Sequence, residues 1–365
     1  AGLLGAVSLL SLAAHAPQAL AAQSAPTAAA PAAAPAGPVR QMKQVRGDIW
    51  RAGNGNWWAL VYVTPDGILL MDPINTAFAT WLKAELATRF PGKPVKYIVY
   101  SHSHWDHIGG AGVFADSKPL IIGQERMLGN MDGRFPHFPG DMTDRNDNGM
   151  LEAEEVMVPT LQHPGICGGG PATFAGYDRD KTGHVNFRPQ WWALHDIHKP
   201  DITYSDRMTL KFGGRTIDFV FPGLNHADDG TVLFFPAERV AFSTDFPSDA
   251  LVTTSMKSIP SACGAFDQHP LTEWLKSYRA IEDLDFDILA QGHGHGDFTR
   301  ADLTAARTFF EDLRDAVVAG MAEGKTLEQL KATVKLEQYK DWRYYDLLLP
   351  DNIEAAYLNL KRYRQ

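Results

Sequence analysis

An α/β fold is predicted for this chain by three observations. Short apolar runs alternate with segments of helical spacing, the same alternation returns in a second half, and Pro, Gly and Asp separate the runs. With 365 residues, 45% hydrophobic and 21% charged, the chain can bury a substantial core as one large domain or two smaller ones. A formal charge of -9 and the lack of a basic stripe argue against a nucleic-acid partner and for small-molecule chemistry.

The first 22 residues hold an apolar run too short to span a bilayer, followed by small residues that fit an Ala-x-Ala cleavage site at Ala19 and Ala21. They read as an N-terminally incomplete secretory signal peptide, with an alanine-rich tail as the other reading. Residues 23–40 form a Pro/Ala-rich tether that cannot bury enough apolar surface to fold. The expected location is therefore the bacterial periplasm or beyond, with no membrane attachment once the signal is removed. Cys167 and Cys263 are the two cysteines, which excludes a cysteine-rich zinc framework and leaves at most one disulfide, whose formation stays open.

The main domain is assigned to residues 41–300, with a regular pattern from residue 46. WWALVYV and GILLMDP, parted by Pro65, Asp66 and Gly67, predict a hairpin of two strands that opens the domain. Phe78, Trp81, Leu82 and Leu86 have helical spacing over 76–89, and VKYIVY is a buried strand. Later strands are expected near 207–212, 215–221, 231–235 and 240–243, then a helix near 270–282 and a strand at FDILA. Residues 301–365 form a helical C-terminal extension whose Leu and aromatic positions suit covering a sheet.

The strand VKYIVY runs directly into SHSHWDHIGGAG, which places His102, His104, Asp106 and His107 within six positions. Imidazoles and carboxylates suit zinc, and a loop leaving a strand can aim them at two neighbouring metal positions while Gly109 and Gly110 let the backbone turn. The segment resembles the His-x-His-x-Asp-His motif of the metallo-beta-lactamase fold superfamily. PGLNHADDG then supplies His226, VAFSTDFP supplies Asp245, and ILAQGHGHG supplies His293 or His295, in that family's order. The resemblance spans about residues 46–300 and implies a four-layer αββα sandwich with metals at the sheet edges.

Carried over by residue, the resemblance implies two divalent metals, zinc first with iron or manganese as alternatives. His102, His104 and His226 would hold one, Asp106, His107 and His293 the other, with Asp245 between them. His293 lies in the family's Gly-His-Gly register, and His295 is the alternative. Asp72 matches a supporting position behind the site or, on local sequence, caps a turn before Pro73. Asp106 and Asp245 are read as the catalytic carboxylates. The reaction implied is hydrolysis of a carbonyl ester, lactone, thioester or amide by a metal-bound hydroxide. An aspartate at 245 resembles the general hydrolases more than the true beta-lactamases, many of which carry Cys or Ser there; a true beta-lactamase is the runner-up. His104 argues against the di-iron redox branch, and a mononuclear iron persulfide dioxygenase is the remaining redox rival.

An insertion is assigned to residues 131–200. DRNDNGMLEAEE places Asp144, Asn146, Asn148, Met150 (through its carbonyl), Glu152 and Glu155 at the positions of an EF-hand calcium loop, with Gly149 at the turn and Leu151 at position eight. DRDKTGHVNFRP repeats the pattern with Asp178, Asp180, Thr182, His184 and Val185 but puts Pro189 where the closing glutamate belongs. Pro136 and Pro139 disfavour a regular entering helix. The expected product is an exported metallo-hydrolase with an EF-hand-like, calcium-binding insertion. The competing class is a calcium-dependent binding or scaffold protein with a vestigial hydrolase site. Substrate identity and oligomeric state are not encoded legibly.

Overall fold

A computed structural model describes residues 38–131, 150–152, 181–186, 197–247, 257–259, 269–294 and 296–363. Four strands open the domain: β1 (Arg40–Arg46), β2 (Ile49–Asn54), β3 (Trp57–Thr64) and β4 (Gly67–Met71). The first helix, α1 (Thr76–Arg89), starts where the Asn75 side chain accepts from the Phe78 N–H. Next come β5 (Val95–Val99), the short helix α2 (Trp105–Ile108), a 3₁₀ segment over Ala111–Ser117, β6 (Leu120–Gln124) and the one-turn α3 (Met127–Asn130). Two short strands, β7 (Met150–Glu152) and β8 (His184–Asn186), form a two-stranded sheet of their own among the described residues. The second half holds β9 (Ile202–Tyr204), β10 (Arg207–Phe212), β11 (Arg215–Val220), β12 (Val232–Phe235), β13 (Val240–Ser243), helix α4 (Leu271–Glu282) and β14 (Ile288–Gln291). Helices α5 (Arg300–Ala322), α6 (Leu327–Thr333) and α7 (Tyr345–Tyr363) complete it. Reciprocal capping boxes start α5 (Thr299 with Asp302) and α6 (Thr326 with Gln329).

The hairpin β3–β4 lies where its alternation predicts it, but it does not open the domain. Two strands precede it, and the sequence reading missed both. In β2 the buried Arg51 interrupts an otherwise apolar run, and β1 is a polar edge strand with no buried residue.

The strands form a seven-stranded sheet, β1-β2-β3-β4-β5-β6-β9, and a five-stranded sheet, β10-β11-β12-β13-β14. The first is antiparallel from β1 to β4 and parallel from β4 to β9. The second is antiparallel until its last pair, β13 with β14, which is parallel. Strict alternation of side chains builds the layers. In β3 and β4, Leu60, Tyr62, Leu69 and Met71 face the second sheet, while Ala59, Val61, Ile68 and Leu70 pack under α1. In β12 and β13, Leu233, Phe235, Val240 and Phe242 return that contact, while Val232, Phe234 and Ala241 join the core under α4, α5 and α7. The result is an αββα sandwich whose C-terminal helices cover the second sheet.

Tyr62 and Phe235 meet edge to face across the sheets, with ring centroids 4.7 Å apart. Phe235 is fully buried, so Phe235→Ala should cost about 3–5 kcal/mol. Equilibrium urea unfolding should show that loss as a lower midpoint with an unchanged slope.

Candidate metal centre

Chain direction gathers the chemistry at one edge of the sandwich. Asp72 follows β4, the segment Ser101–His107 follows β5, and these strands run parallel. Asp245 follows β13 and His293 follows β14, again a parallel pair. Strand β11 is antiparallel to β12, which is antiparallel to β13, so the loop leaving β11 carries His226 to the same edge. Every member of the cluster therefore sits just beyond the carboxyl end of a strand.

The loops hold unusual backbone. Asp72, Ile74 and Asp245 have φ of +60°, +66° and +60°, a region that costs non-glycine residues about 1–3 kcal/mol each. Gly110, at φ +84°, lies so close to α1 that a Cβ would stand 2.7 Å from the Asn75 carbonyl carbon, which only glycine tolerates. Gly292 similarly lets the His293 loop press against Thr244, beside Asp245.

Two clusters result, each with its ligand-type atoms within 4.8 Å of one another: His102, His104, His226 and Asp245; and Asp106, His107 and His293. In the first, His104 Nδ1 lies 3.0 Å from His226 Nε2. Asp245 Oδ2 lies 3.1 Å from His102 Nε2 and 3.2 Å from His226 Nε2. In the second, His107 Nε2 is 3.2 Å from His293 Nε2 and 3.3 Å from Asp106 Oδ2. Asp245 also reaches this cluster, with Oδ1 2.7 Å from His293 Nε2.

The electrostatics fit divalent cations. Burial pulls His104 well below the ordinary imidazole range, and neighbouring His102 and His226 pull it further. Burial alone would raise Asp106 and Asp245, yet His107 and His293 hold both carboxyls well below their usual range. Burial would likewise lower His107, but Asp106 and Asp245 raise it well above. Imidazole nitrogens facing each other at 3.0 and 3.2 Å can share at most one proton per pair. Asp106 Oδ1 is buried without a hydrogen-bond partner, and His102 Nε2 faces Asp245 Oδ2 at 3.1 Å outside hydrogen-bond geometry. A cation in each cluster would satisfy these atoms, and neutral imidazole with carboxylate is the donor set zinc favours.

A surrounding layer aims the rings. Ser101 Oγ lies 2.9 Å from His102 Nδ1, which can donate to it and leave Nε2 facing the cluster. The fully buried Asp72 accepts from the Ser101 N–H at 2.8 Å and the Thr244 hydroxyl at 3.0 Å, and its Oδ2 lies 3.3 Å from His107 Nδ1. Between its two sequence readings, these contacts place it behind the site. Asp229, also fully buried, accepts from the Ser103 N–H and from Asn130 Nδ2, tying the His226 loop to the His102 loop.

Sequence reasoning passed over Ser101, Asp229 and Arg51. Arg51 pairs with Asp297 at 2.9 Å, donates to the carbonyls of Gln291 and Gly296, and stacks on Trp58, whose own N–H donates to the Gly294 carbonyl. It clasps the loop that carries His293. The sole sequence signal was a charged residue inside an apolar strand. His295 lies outside the described residues, as do Cys167 and Cys263. Of the insertion's candidate ligands, Asp144, Asn146, Asn148, Glu155, Asp178 and Asp180 lie outside them too, whereas Met150, Glu152, Thr182 and His184 lie within.

The family model of the metallo-beta-lactamase superfamily matches residues 50–293. The chain is 23% identical over 298 residues to the 2,4-dinitroanisole O-demethylase subunit alpha of Nocardioides sp. (strain JS1661), covering 81% of this chain and 67% of that one. It is 21% identical over 289 residues to the linear primary-alkylsulfatase of Pseudomonas sp. (strain ATCC 19151), covering 74% and 48%. Among solved structures, the stereoselective inverting sec-alkylsulfatase Pisa1 from Pseudomonas sp. superposes with a TM-score of 0.59 at 16% identity, covering 89% of this chain and 50% of that one. The chain thus spans about half the length of the alkylsulfatases it matches.

Because Arg51 is fully buried and Asp297 only partly exposed, Arg51→Met should destabilise the protein by about 3 kcal/mol, the lower end for a broken buried pair. Thermal unfolding of the variant checks this.

Proposed function

This chain belongs to the metallo-beta-lactamase superfamily, and on that premise we propose that its clusters form the dinuclear active site of a hydrolase for ester-type substrates. His102, His104 and His226 would hold one metal and Asp106, His107 and His293 the other, with the Asp245 carboxylate set between the two clusters. The observation that carries this reading is the placement of the Asp245 carboxylate between the clusters, with Oδ2 within 3.4 Å of His102, His226 and His107 and Oδ1 2.7 Å from His293. When bound, two divalent cations supply Lewis-acid polarisation and make water a nucleophile near neutral pH. The chain's own residues do the rest. Against the opposing effect of burial, neighbouring His107 and His293 hold Asp106 and Asp245 ionised, and Asp72 and Ser101 orient His107 and His102. Both named relatives in sequence act on oxygen-linked alkyl groups, a sulfate ester in one and an aryl ether in the other. This extends the substrate class from carbonyl esters, lactones, thioesters and amides to alkyl sulfates and activated aryl ethers. The leader reading would place the enzyme outside the cytoplasm.

A second feature is favoured by one further observation. Strands β7 and β8 pair antiparallel with Leu151 opposite Val185, each being position eight of its own calcium-loop pattern. The short strand pair joins the two segments in the register that two facing loops require. On this reading calcium at Asp144, Glu152 and Glu155 stabilises the insertion without entering the chemistry, and the second loop, with Pro189 in place of the closing carboxylate, binds more weakly.

Purified protein should carry close to two transition metals by elemental analysis, and Asp106→Ala or His226→Ala should lose most activity while retaining the fold. His293→Ala should empty the second position far more than His295→Ala. A panel of p-nitrophenyl sulfate, 2,4-dinitroanisole, carboxylic esters, lactones, thioesters and nitrocefin on zinc-loaded protein tests the substrate class; turnover of nitrocefin alone would instead establish a beta-lactamase. Calcium at 100 times its dissociation constant should add about 2.7 kcal/mol of stability. Glu155→Gln should abolish most of the resulting rise in melting temperature, and Asp178→Asn should remove less.

A further inference from the structure

Asp106 is held by more than its histidine neighbours. Trp57, the first residue of β3, donates its indole N–H to Asp106 Oδ2 at 2.9 Å. That oxygen also faces His107 Nε2 at 3.3 Å and His293 Nε2 at 4.0 Å. Asp106 Oδ1 is buried with no hydrogen-bond partner. Among the described residues, Trp57 is therefore the one hydrogen-bond donor to this carboxylate from outside the two clusters. The carboxylate needs such a donor, because it projects from a helix of four residues that no side chain caps. A helix that short fixes its side chains weakly.

Trp57, by contrast, stands on a rigid support. Its backbone pairs with Asn54 of β2 and forms a bridge with His293, and its ring meets the His293 ring edge to face at 5.5 Å. The next residue, Trp58, donates to the Gly294 carbonyl and lies under Arg51. Neighbouring tryptophans on one strand thus serve different partners: Trp58 fastens the loop that carries His293, and Trp57 touches Asp106 and His293 together. The side chain of Asp106 is 17% exposed, so a hydrogen bond to its ionised form is little weakened by water.

We propose that Trp57 is a positioning residue of the second metal position, fixing the Asp106 carboxylate toward His107 and His293 through its indole N–H. This rests on the reading of Asp106, His107 and His293 as one metal's ligands. A carboxylate oxygen carries two lone pairs. With one taken by Trp57, the other is directed at the space between the histidines, and the ligand does not have to be ordered when the cation arrives. Partners that orient metal ligands in this way are worth about 10–100-fold in metal affinity.

The test is Trp57→Phe, which keeps the aromatic ring beside His293 and removes the N–H. Trp81→Phe, a change on α1 where Trp81 packs on Phe78, serves as control. Zinc binding to metal-stripped full-length protein is followed by competition with a chromophoric chelator, and the visible spectrum of cobalt(II)-substituted protein reports ligand geometry. Trp57→Phe should bind its second zinc about 10–100-fold more weakly, bind its first as wild type does, alter the cobalt spectrum of the second equivalent, and lose no more metal-free unfolding temperature than the loss of one hydrogen bond accounts for. An unchanged second affinity would overturn the proposal. Equal weakening of both equivalents, or a fall in metal-free unfolding temperature like that of a packing defect, would also overturn it by reducing Trp57 to a structural role. Wild-type protein that takes up one equivalent would overturn the two-site reading itself, and this inference with it.

Discussion

The carboxylate of Asp245 ties the site together. It is buried, sits in left-handed backbone two residues beyond β13, and sets Oδ2 among His102, His226 and His107 and Oδ1 against His293. Two clusters of buried imidazoles would otherwise face each other with their lone pairs and protons in conflict. A shared anion reduces that repulsion. Much of the surrounding construction serves this one residue: Gly292 is absent of side chain so that the neighbouring loop can close on Thr244, and Thr244 in turn donates to Asp72.

Strain at the site is supported by the sandwich. Asp72, Ile74 and Asp245 are held in left-handed backbone at about 1–3 kcal/mol each, while the core between the sheets is fully buried at Leu60, Tyr62, Leu69, Phe235 and Phe242. Burial of large side chains of this kind is worth about 1.5–3 kcal/mol apiece, which offsets the local cost and lets several unfavourable loop conformations persist together. The arrangement also explains why the ligands come from both sheets. Strands β4 and β5 in one sheet and β11, β13 and β14 in the other all point their carboxyl ends at the same edge, so neither sheet alone could complete either cluster.

The relatives extend this picture. Shared fold with an alkylsulfatase at 16% identity speaks for the sandwich alone, because the same edge can serve many leaving groups once the loops differ. The β2–β3 hairpin is one such local solution. It brings Arg51, Trp57 and Trp58 against the loop after β14 and makes the second cluster more heavily braced by hydrogen bonds and stacking than a bare ligand motif requires.

Local sequence was sufficient wherever spacing alone carries the information. His102, His104, Asp106 and His107 crowd into one short segment, and residues so close along the chain must also be close in space. The helices at 76–89 and 271–282 and strands β10 to β14 were legible for the same reason, since their apolar period is set by local geometry, whereas the three-residue β9 was not. Strands β1 and β2 were not: one is a polar edge, and the other carries a charge in its interior. Asp72 was ambiguous because a turn cap and a buried hydrogen-bond acceptor have the same local sequence; contacts with Ser101 and Thr244, 29 and 172 positions away, decided it. Arg51 reaches Gln291 across 240 positions, and Trp57 reaches Asp106 across 49. The residue types and spacing of the candidate ligands were thus a property of the sequence, whereas the partners that orient them were decided only by tertiary structure, because hydrogen bonds between distant strands leave no periodic trace in the chain.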